Sequence, residues 1–145
     1  MKLRVKRVGP VEVPLPAYAS ELAAGLDLSA ALEAAVLIEP GARRLIPTGL
    51  ILELPPGFEG QVRPRSGLAL RAGITVLNSP GTIDADFRGE VAVVLVNLGA
   101  EPFRVEPLAR IAQLVVAPVL RVEVEVADTL GDTKRGAGGY GSTGA

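Results

Sequence analysis

Short apolar runs separated by turn-forming residues extend along most of the chain. The runs lie at residues 36–38, 45–54, 73–77, 91–96, 111–116 and 120–126. They are rich in β-branched residues and recur at intervals of about ten residues, which is typical of an all-β sandwich or barrel. Helical turns are predicted only around residues 66–71 and 20–24. We therefore predict one all-β domain, a β-sandwich or jelly-roll-like barrel.

Two of these runs differ in how their faces are composed. In residues 120–126, valines alternate with charged side chains, which predicts a half-exposed strand. Residues 91–96 read VAVVLV and are apolar on both faces, so this strand needs a second cover. A subunit interface would supply that cover, and a central strand of the monomer core is the alternative.

The last 15 residues, GDTKRGAGGYGSTGA, differ in character from the rest of the chain. They include six glycines and no aliphatic residue beyond alanine, so they cannot bury enough apolar surface to fold alone. We predict a β domain over residues 1–127 and a flexible C-terminal arm over residues 128–145.

Composition narrows the possible chemistry. The 145 residues include no cysteine and no histidine, which excludes disulfides, Ser-His or Cys-His catalytic units, and zinc sites built on these residues. Asp and Glu are then the leading candidates for a catalytic base. A metal would have to be held by oxygen, which points to Mg²⁺, Mn²⁺ or Ca²⁺.

Charge and hydropathy predict a soluble cytoplasmic protein that binds neither nucleic acid nor a membrane. The net charge is −1, so no global attraction to nucleic acid or an anionic membrane is expected. No apolar run approaches the length of a membrane span, and the start MKLRVKRVGP is charged where a secretory signal is apolar.

Residues 60–83 contain no acidic side chain but include three arginines, two of them in the segment RPRSGLA at residues 63–69. Arginine forks suit phosphate oxygens, and Ser66 followed by Gly67 lets backbone amides approach an anion. A surface turn with solvated arginines explains this stretch equally well.

The segment NSPGTIDADFRGE follows at residues 78–90. Pro80 and Gly81 stand in the order of a type II turn, which predicts a tight hairpin. Asp84 and Asp86 then place carboxylates just after the basic stretch, as metal-assisted attack on a phosphoryl group requires. The alternative is that either Asp only caps a turn.

Together with three further segments, these two resemble the five motifs of the trimeric dUTPase family, in order and with the usual spacing. The other three are AGLDLSA at residues 24–30, RIAQLVV at 110–116 and RGAGGYGSTG at 135–144. The resemblance covers essentially the whole chain. It implies hydrolysis of dUTP to dUMP and pyrophosphate with Mg²⁺, by a homotrimer whose active sites lie between subunits.

The resemblance also assigns roles to individual residues. Asp84 matches the general base that activates the attacking water, and Asp27 matches an Asp that touches metal-bound water, with Mg²⁺ held mainly by the triphosphate. The phosphate contacts match Arg65, Ser66, Gly67, Gln113 and Arg135. The uracil contacts match Asn78, Gly81, Thr82, Ile83 and Tyr140, with Gly141 beside Tyr140 in the fifth motif.

Phe87 matches the ring, usually Tyr, that stacks under the deoxyribose and blocks a 2′-hydroxyl. The second departure from the family pattern is Leu26, where an aromatic residue is common. Neither departure removes a catalytic group.

Two other functions are weighed against hydrolysis of dUTP. A dCTP deaminase of the same fold, alone or bifunctional with dUTPase activity, would carry a Glu at the position of Val94 and usually a Ser at that of Gly67. A non-catalytic binding module would not need a base such as Asp84.

Overall fold

Antiparallel β-strands form almost all of the regular structure. The computed structural model describes residues 1–139. Its ten strands and one helix are β1 (Arg4–Arg7), β2 (Leu26–Ser29), β3 (Val36–Ile38), β4 (Arg43–Glu53), β5 (Phe58–Arg63), α1 (Ser66–Ala72), β6 (Ile74–Val76), β7 (Gly81–Ile83), β8 (Glu90–Asn97), β9 (Phe103–Val105) and β10 (Arg110–Pro118).

The strands form two four-stranded sheets and one two-stranded sheet. The first has the order β1-β4-β8-β6 and is called the β4–β8 sheet; the second has the order β2-β10-β5-β7 and is called the β5–β10 sheet. Strands β3 and β9 pair separately. One hydrophobic cluster draws on both large sheets, with Leu50 and Leu95 from one and Leu28 and Leu114 from the other. The prediction of an all-β, jelly-roll-like domain is confirmed.

Five of the six apolar runs correspond to strands, and the prediction of a strand at residues 120–126 is wrong. Strand β10 ends at Pro118, and the following residues pair with no strand of the described chain. The side chains of Val122, Val124 and Val126 are 80–94% exposed. Alternation specifies which side chains would share a face, but a strand also needs a backbone partner, and one chain offers none here.

Strand β8, which contains VAVVLV, lies between β4 and β6 in its sheet. Its residues Val91, Val93 and Leu95 point into the core. On its opposite face Val94 is half-buried and lies opposite Leu45, whose side chain is 66% exposed. The central position is thus established, and the outer apolar face is partly exposed around Val94 and Leu45, whereas Val96 on the same face is buried.

The helical turn predicted around residues 66–71 is confirmed as α1, which ends at Gly73 with a left-handed φ of 65°. Residues 20–24 form only a turn, in which the Ala23 amide donates to the Ser20 carbonyl at 3.2 Å. None of the helical structure in residues 1–139 is long and apolar enough to cross a membrane.

The predicted type II hairpin at residues 79–82 is also wrong. Type II turns need a positive φ at the third residue, which Gly81 does not have, and the Ser79–Pro80 peptide bond is cis. Strands β6 and β7 on either side belong to different sheets, and β7 pairs with β5. Local sequence predicted a reversal here, whereas the chain passes from one sheet to the other.

Candidate active site

The first part of the candidate site is a polar row across three strands of the β5–β10 sheet. Gln113 on β10 is opposite Asp27 on β2 and opposite Arg63 on β5. Because paired residues point to the same face, these three side chains share one surface. They border a cavity of about 410 Å³ together with Arg65 and Arg110. We call the group Asp27, Arg65, Ser66, Gly67, Arg110 and Gln113 the arginine pocket.

Asp27 holds two arginines of this pocket in place. Its Oδ1 lies 3.3 Å from Nε of Arg65, and its Oδ2 accepts a hydrogen bond of 2.9 Å from Nη1 of Arg110. Arg65 also donates to the backbone carbonyl of Arg110 at 3.2 Å. The lining of this cavity thus includes one carboxylate and three arginines, Arg63, Arg65 and Arg110, so the cavity carries net positive charge and suits an anionic ligand.

Two glycines make room for side chains around the arginine pocket. A methyl group at Gly25 would overlap the side chain of Gln113, whose Nε2 donates to the Pro64 carbonyl at 2.9 Å. A methyl group at Gly67 would lie 3.1 Å from the guanidinium of Arg71. Glycine at these positions therefore lets Gln113 and Arg71 lie against the backbone.

Ser66 and Gly67 form the first turn of α1. Its N-cap residue Arg65 has extended backbone angles, with φ −92° and ψ 126°, and makes no side-chain cap. The first turn contains no acidic residue. Amides in a first helical turn have no intrahelical acceptor, so those of Ser66 and Gly67 are suited to an anion.

The second part of the site is the turn that follows β7. The carbonyl of Asp84 accepts a hydrogen bond from the Phe87 amide at 3.1 Å, and Nη1 of Arg88 donates to the carbonyls of Ala85 and Phe87 at 2.7 and 2.9 Å. Asp84 is exposed and borders a separate cavity of about 950 Å³. We call residues 84–87 the Asp84 turn.

Strand β7 presents one free backbone edge beside this turn. It is the last strand of the β5–β10 sheet, so among the described strands only β5 pairs with it. The side-chain amide of Asn78 lies against Gly81, with Nδ2 3.2 Å from the point where a methyl carbon would stand. Donors and acceptors of Gly81, Thr82 and Ile83 are thus presented together with the Asn78 amide.

One chain does not bring the two parts together. Ile83 is opposite Gly60 on β5, which places Asp84 beside Glu59, six positions before Arg65. At about 3.3 Å per residue the separation along the strand is roughly 20 Å. Within the described chain, the two cavities also share no lining residue. A base acts within about 3 Å of the proton it removes, so this Asp84 does not serve this arginine pocket.

The remaining predicted residues lie in the arm. The side chain of Arg135 is exposed, and its Nε donates to the Gly138 carbonyl at 2.9 Å. Among residues 1–139 the arm lines neither cavity. Tyr140 and Gly141 lie outside the described residues.

The family is established by comparison with known proteins. A family model described as dUTPase matches residues 11–144. The chain belongs to the dUTPase family. Its expected assignment to the dUTP diphosphatases, a class of enzymes, is thereby confirmed.

Individual proteins of the dUTPase family agree with this assignment. The chain is 62% identical over 136 residues to the deoxyuridine 5′-triphosphate nucleotidohydrolase of Methylocella silvestris, covering 92% of this chain and 85% of the relative. It is 56% identical over 146 residues to that of Beijerinckia indica subsp. indica, covering 99% and 91%. The fold matches a solved mutant dUTPase of Staphylococcus bacteriophage 80alpha with dUpNHpp, with a TM-score of 0.89, 23% identity and 99% of both chains covered.

Two arginines of this dUTPase-family chain, one lining the pocket and one beside it, were not predicted as site residues from the sequence. Arg110 begins the fourth motif and Arg71 lies in the acid-free stretch, but neither was assigned a role. Arg110 is paired with Asp27, which is distant in sequence, and Arg71 lies beside Gly67, one turn earlier on α1. The only available signal was their basic charge near a motif, which many solvated arginines share.

Proposed function

We propose that this dUTPase-family chain hydrolyses dUTP to dUMP and pyrophosphate, with a water molecule activated by Asp84 attacking the α-phosphorus. The observation that carries the proposal is the division of the site into a cationic pocket and a carboxylate turn. The cationic pocket suits a triphosphate, and the carboxylate turn supplies a general base. Such an enzyme would limit uracil in DNA and supply dUMP for dTMP synthesis, and we place it in the cytoplasm.

The arginine pocket would hold the triphosphate. The positive charge of Arg65 would attract the phosphates. Ser66 and Gly67 would offer a hydroxyl and backbone amides near the leaving pyrophosphate. Gln113 would contact a phosphate or the attacking water. The ion pairs with Asp27 fix the orientation of Arg65 before the substrate binds. A preorganised site spends less free energy on ordering its groups during the reaction.

The free edge of β7 would read the base. Backbone groups of Gly81, Thr82 and Ile83, with the amide of Asn78, would pair with the uracil edge and leave an unmatched group opposite the amine of cytosine. Unpaired buried polar groups make such rejection strong. The ring of Phe87 would lie under the deoxyribose and block a 2′-hydroxyl.

In the chemical step, a carboxylate oxygen of Asp84 accepts a proton from water as the water oxygen bonds to the α-phosphorus. The bond from that phosphorus to the bridging oxygen breaks, and pyrophosphate leaves with the electron pair. The arginines stabilise the charge that moves onto the leaving group.

Mg²⁺ would arrive as part of the substrate, held mainly by the triphosphate. Residues 1–139 contain no group of three or more acidic side chains placed to hold a metal, and both oxygens of Asp27 already face arginines. The residues present therefore fit a metal carried by phosphate oxygens, with Asp27 at most touching a water of its shell. Bound Mg²⁺ would neutralise phosphate charge and ease the approach of the nucleophile.

A homotrimer with its sites between subunits would complete the active site. The arginine pocket of one chain would then receive the Asp84 turn of a neighbour, and the separation of the two parts within one chain supports this arrangement. The uncovered face of β8, around Val94 and Leu45, and the exposed valines of residues 120–126 offer apolar surface for such contacts.

The arm would close the site of a neighbouring subunit. Arg135 would grip the γ-phosphate, and Tyr140, beside Gly141, would stack on uracil. Removing residues 128–145 should therefore spare the fold, as measured by circular dichroism, and abolish most turnover. A truncated enzyme with normal kcat would overturn this part of the proposal.

Incubation with dUTP and dCTP, with and without Mg²⁺, tests the proposed function. We expect pyrophosphate from dUTP, stimulated by Mg²⁺, and no ammonia from dCTP. Release of ammonia would support the deaminase alternative, which position 94 disfavours because it holds a valine and not the glutamate that such a deaminase carries there. Binding of nucleotide without any product would indicate a non-catalytic module.

A further inference from the structure

The ring of Phe87 rests directly on the backbone of Gly89. A methyl carbon added at Gly89 would lie 2.5 Å from Cζ of Phe87 and 2.9 Å from Cε2. Carbon atoms in ordinary contact are about 3.5–4.0 Å apart, so a side chain at residue 89 and the ring in its present position exclude each other. The φ of Gly89 is not in the left-handed region, so its backbone would accept alanine.

The backbone around Gly89 is held by contacts on both sides. On one side, Arg88 donates two hydrogen bonds to carbonyls of the Asp84 turn. On the other side, Oε1 of Glu90 accepts a hydrogen bond from the Gly49 amide at 2.8 Å, and Glu90 is opposite Ile51 at the start of β8. The ring of Phe87 is the part that can move, since this side chain is 41% exposed.

We propose that Gly89 is a specificity-determining position. Because Gly89 has no side chain, the Phe87 ring can pack on its backbone, and this packing holds the ring against the sugar. This inference rests on the proposed role of Phe87. Gly89 itself touches no substrate; it is a positioning residue that acts through the ring. A side chain at residue 89 would push the ring off this backbone into solvent and open space for a 2′-hydroxyl, while the strands remain in place.

A double-mutant cycle on Phe87 and Gly89 tests this inference. The variants are Gly89→Ala, Phe87→Ala and the double variant, and the measured quantity is the ratio of kcat/KM for dUTP to kcat/KM for UTP. We expect each single substitution to lower this ratio by about tenfold, the scale at which small apolar contacts discriminate between substrates. In the Phe87→Ala background, Gly89→Ala should cause no further change, because no ring remains to be displaced.

Gly41→Ala controls for a loss of stability alone. Gly41 has a φ of 76°, and nothing lies within 4 Å of an added methyl carbon. This variant should lower the melting temperature through backbone strain and leave the substrate ratio unchanged. If Gly89→Ala itself fails to fold, the double variant can still be compared with Phe87→Ala, and a further fall of the substrate ratio in that background would overturn the inference.

The outcomes separate this inference from the proposed function. If Phe87→Ala leaves the ratio unchanged, the sugar role of Phe87 fails and the inference fails with it. If Phe87→Ala lowers the ratio but Gly89→Ala does not, only the inference is overturned. An equal effect of Gly89→Ala with and without the ring would also overturn it, because Gly89 would then act by another route.

Discussion

Asp27 orients two arginines of the candidate pocket although its own side chain is only 23% exposed. Its two oxygens face Arg65 and Arg110, which come from opposite halves of the chain. Each guanidinium remains charged after pairing, so the pocket keeps its attraction for phosphate while the orientation of Arg65 is restricted. At this scale the proposed function depends on single contacts, and single substitutions test it.

Asp84→Asn removes the proposed base without changing the size of the side chain. We expect nucleotide binding to persist and kcat to fall by about 10²–10⁴-fold, as loss of a general base typically causes. Asp86→Asn, on the same stretch of chain, is the matched comparison. Binding and steady-state kinetics measure the effect, and a near-normal kcat in Asp84→Asn would reject the assignment and make Asp86 the next candidate.

Arg110→Gln removes one partner of Asp27. We expect kcat/KM for dUTP to fall by about tenfold, the scale of one hydrogen bond to a charged group, because Arg65 loses part of its support. In a double-mutant cycle with Asp27→Asn the two effects should be non-additive. Arg104→Gln, which breaks the exposed pair of Arg104 with Glu106, serves as the control. Additive losses would show that Arg110 acts independently of Asp27.

At the scale of elements, the short helix α1 is positioned by its C-cap residue Gly73, which packs against the backbone at Gly99. Gly73 closes the helix with a left-handed φ, and its amide donates to the Ala69 carbonyl at 3.0 Å. A methyl carbon at Gly73 would lie 2.5 Å from the backbone nitrogen of Gly99. The helix that carries Ser66 and Gly67 is therefore positioned by backbone-to-backbone contact, which cannot adapt as a side chain can.

Gly73→Ala should destabilise the protein more than Gly41→Ala. Both residues have a positive φ, so each substitution introduces strain of roughly 1–2 kcal/mol. Only Gly73 adds a clash with backbone, since no atom lies within 4 Å of the added carbon at Gly41. Denaturant midpoints at equal protein concentration measure the difference. Equal midpoints would mean that the contact between Gly73 and Gly99 relaxes without cost.

At the scale of the whole molecule, the separation of Asp84 from the arginine pocket is the feature with the largest consequence for the proposed function. The arginine pocket and the proposed base Asp84 lie along one sheet but roughly 20 Å apart in the direction of its strands. Assembly is therefore expected to be part of catalysis and not only of stability.

Light scattering should give a mass three times that of the 15.0 kDa chain under assay conditions. Leu45→Glu should weaken this assembly, because it places a charge on the apolar outer face opposite Val94. Leu37→Glu, a comparable exposed leucine on β3, is the control. A fully active monomer would contradict the proposed homotrimer.

Mixing two inactive chains should restore activity. One chain carries Asp84→Asn with an intact arginine pocket; the other carries Arg65→Ala with an intact Asp84. After unfolding together and refolding, some sites combine an intact pocket with an intact Asp84 from a neighbour. As a control, the Asp84→Asn chain is mixed with a chain carrying both substitutions, which should stay inactive. If pocket and base came from the same chain, the first mixture would also stay inactive.

The sequence determined the features that depend on neighbouring residues. The β-branched runs predicted five stretches that became strands, the segment at residues 66–71 predicted α1, and five motifs predicted the dUTPase family. These succeed because β-branched composition, helix formation and the residues within each motif are properties of short stretches of chain.

Only the tertiary structure decided how these stretches meet. Residues 120–126 pair with no described strand, and the chain passes from β6 to the other sheet at Gly81. Asp27 pairs with Arg110, whereas Asp84 lies far from Arg65. The physical reason is that a strand needs a partner and an ion pair needs two side chains in one place. Both depend on register and sheet order between residues far apart in sequence, which local patterns do not encode.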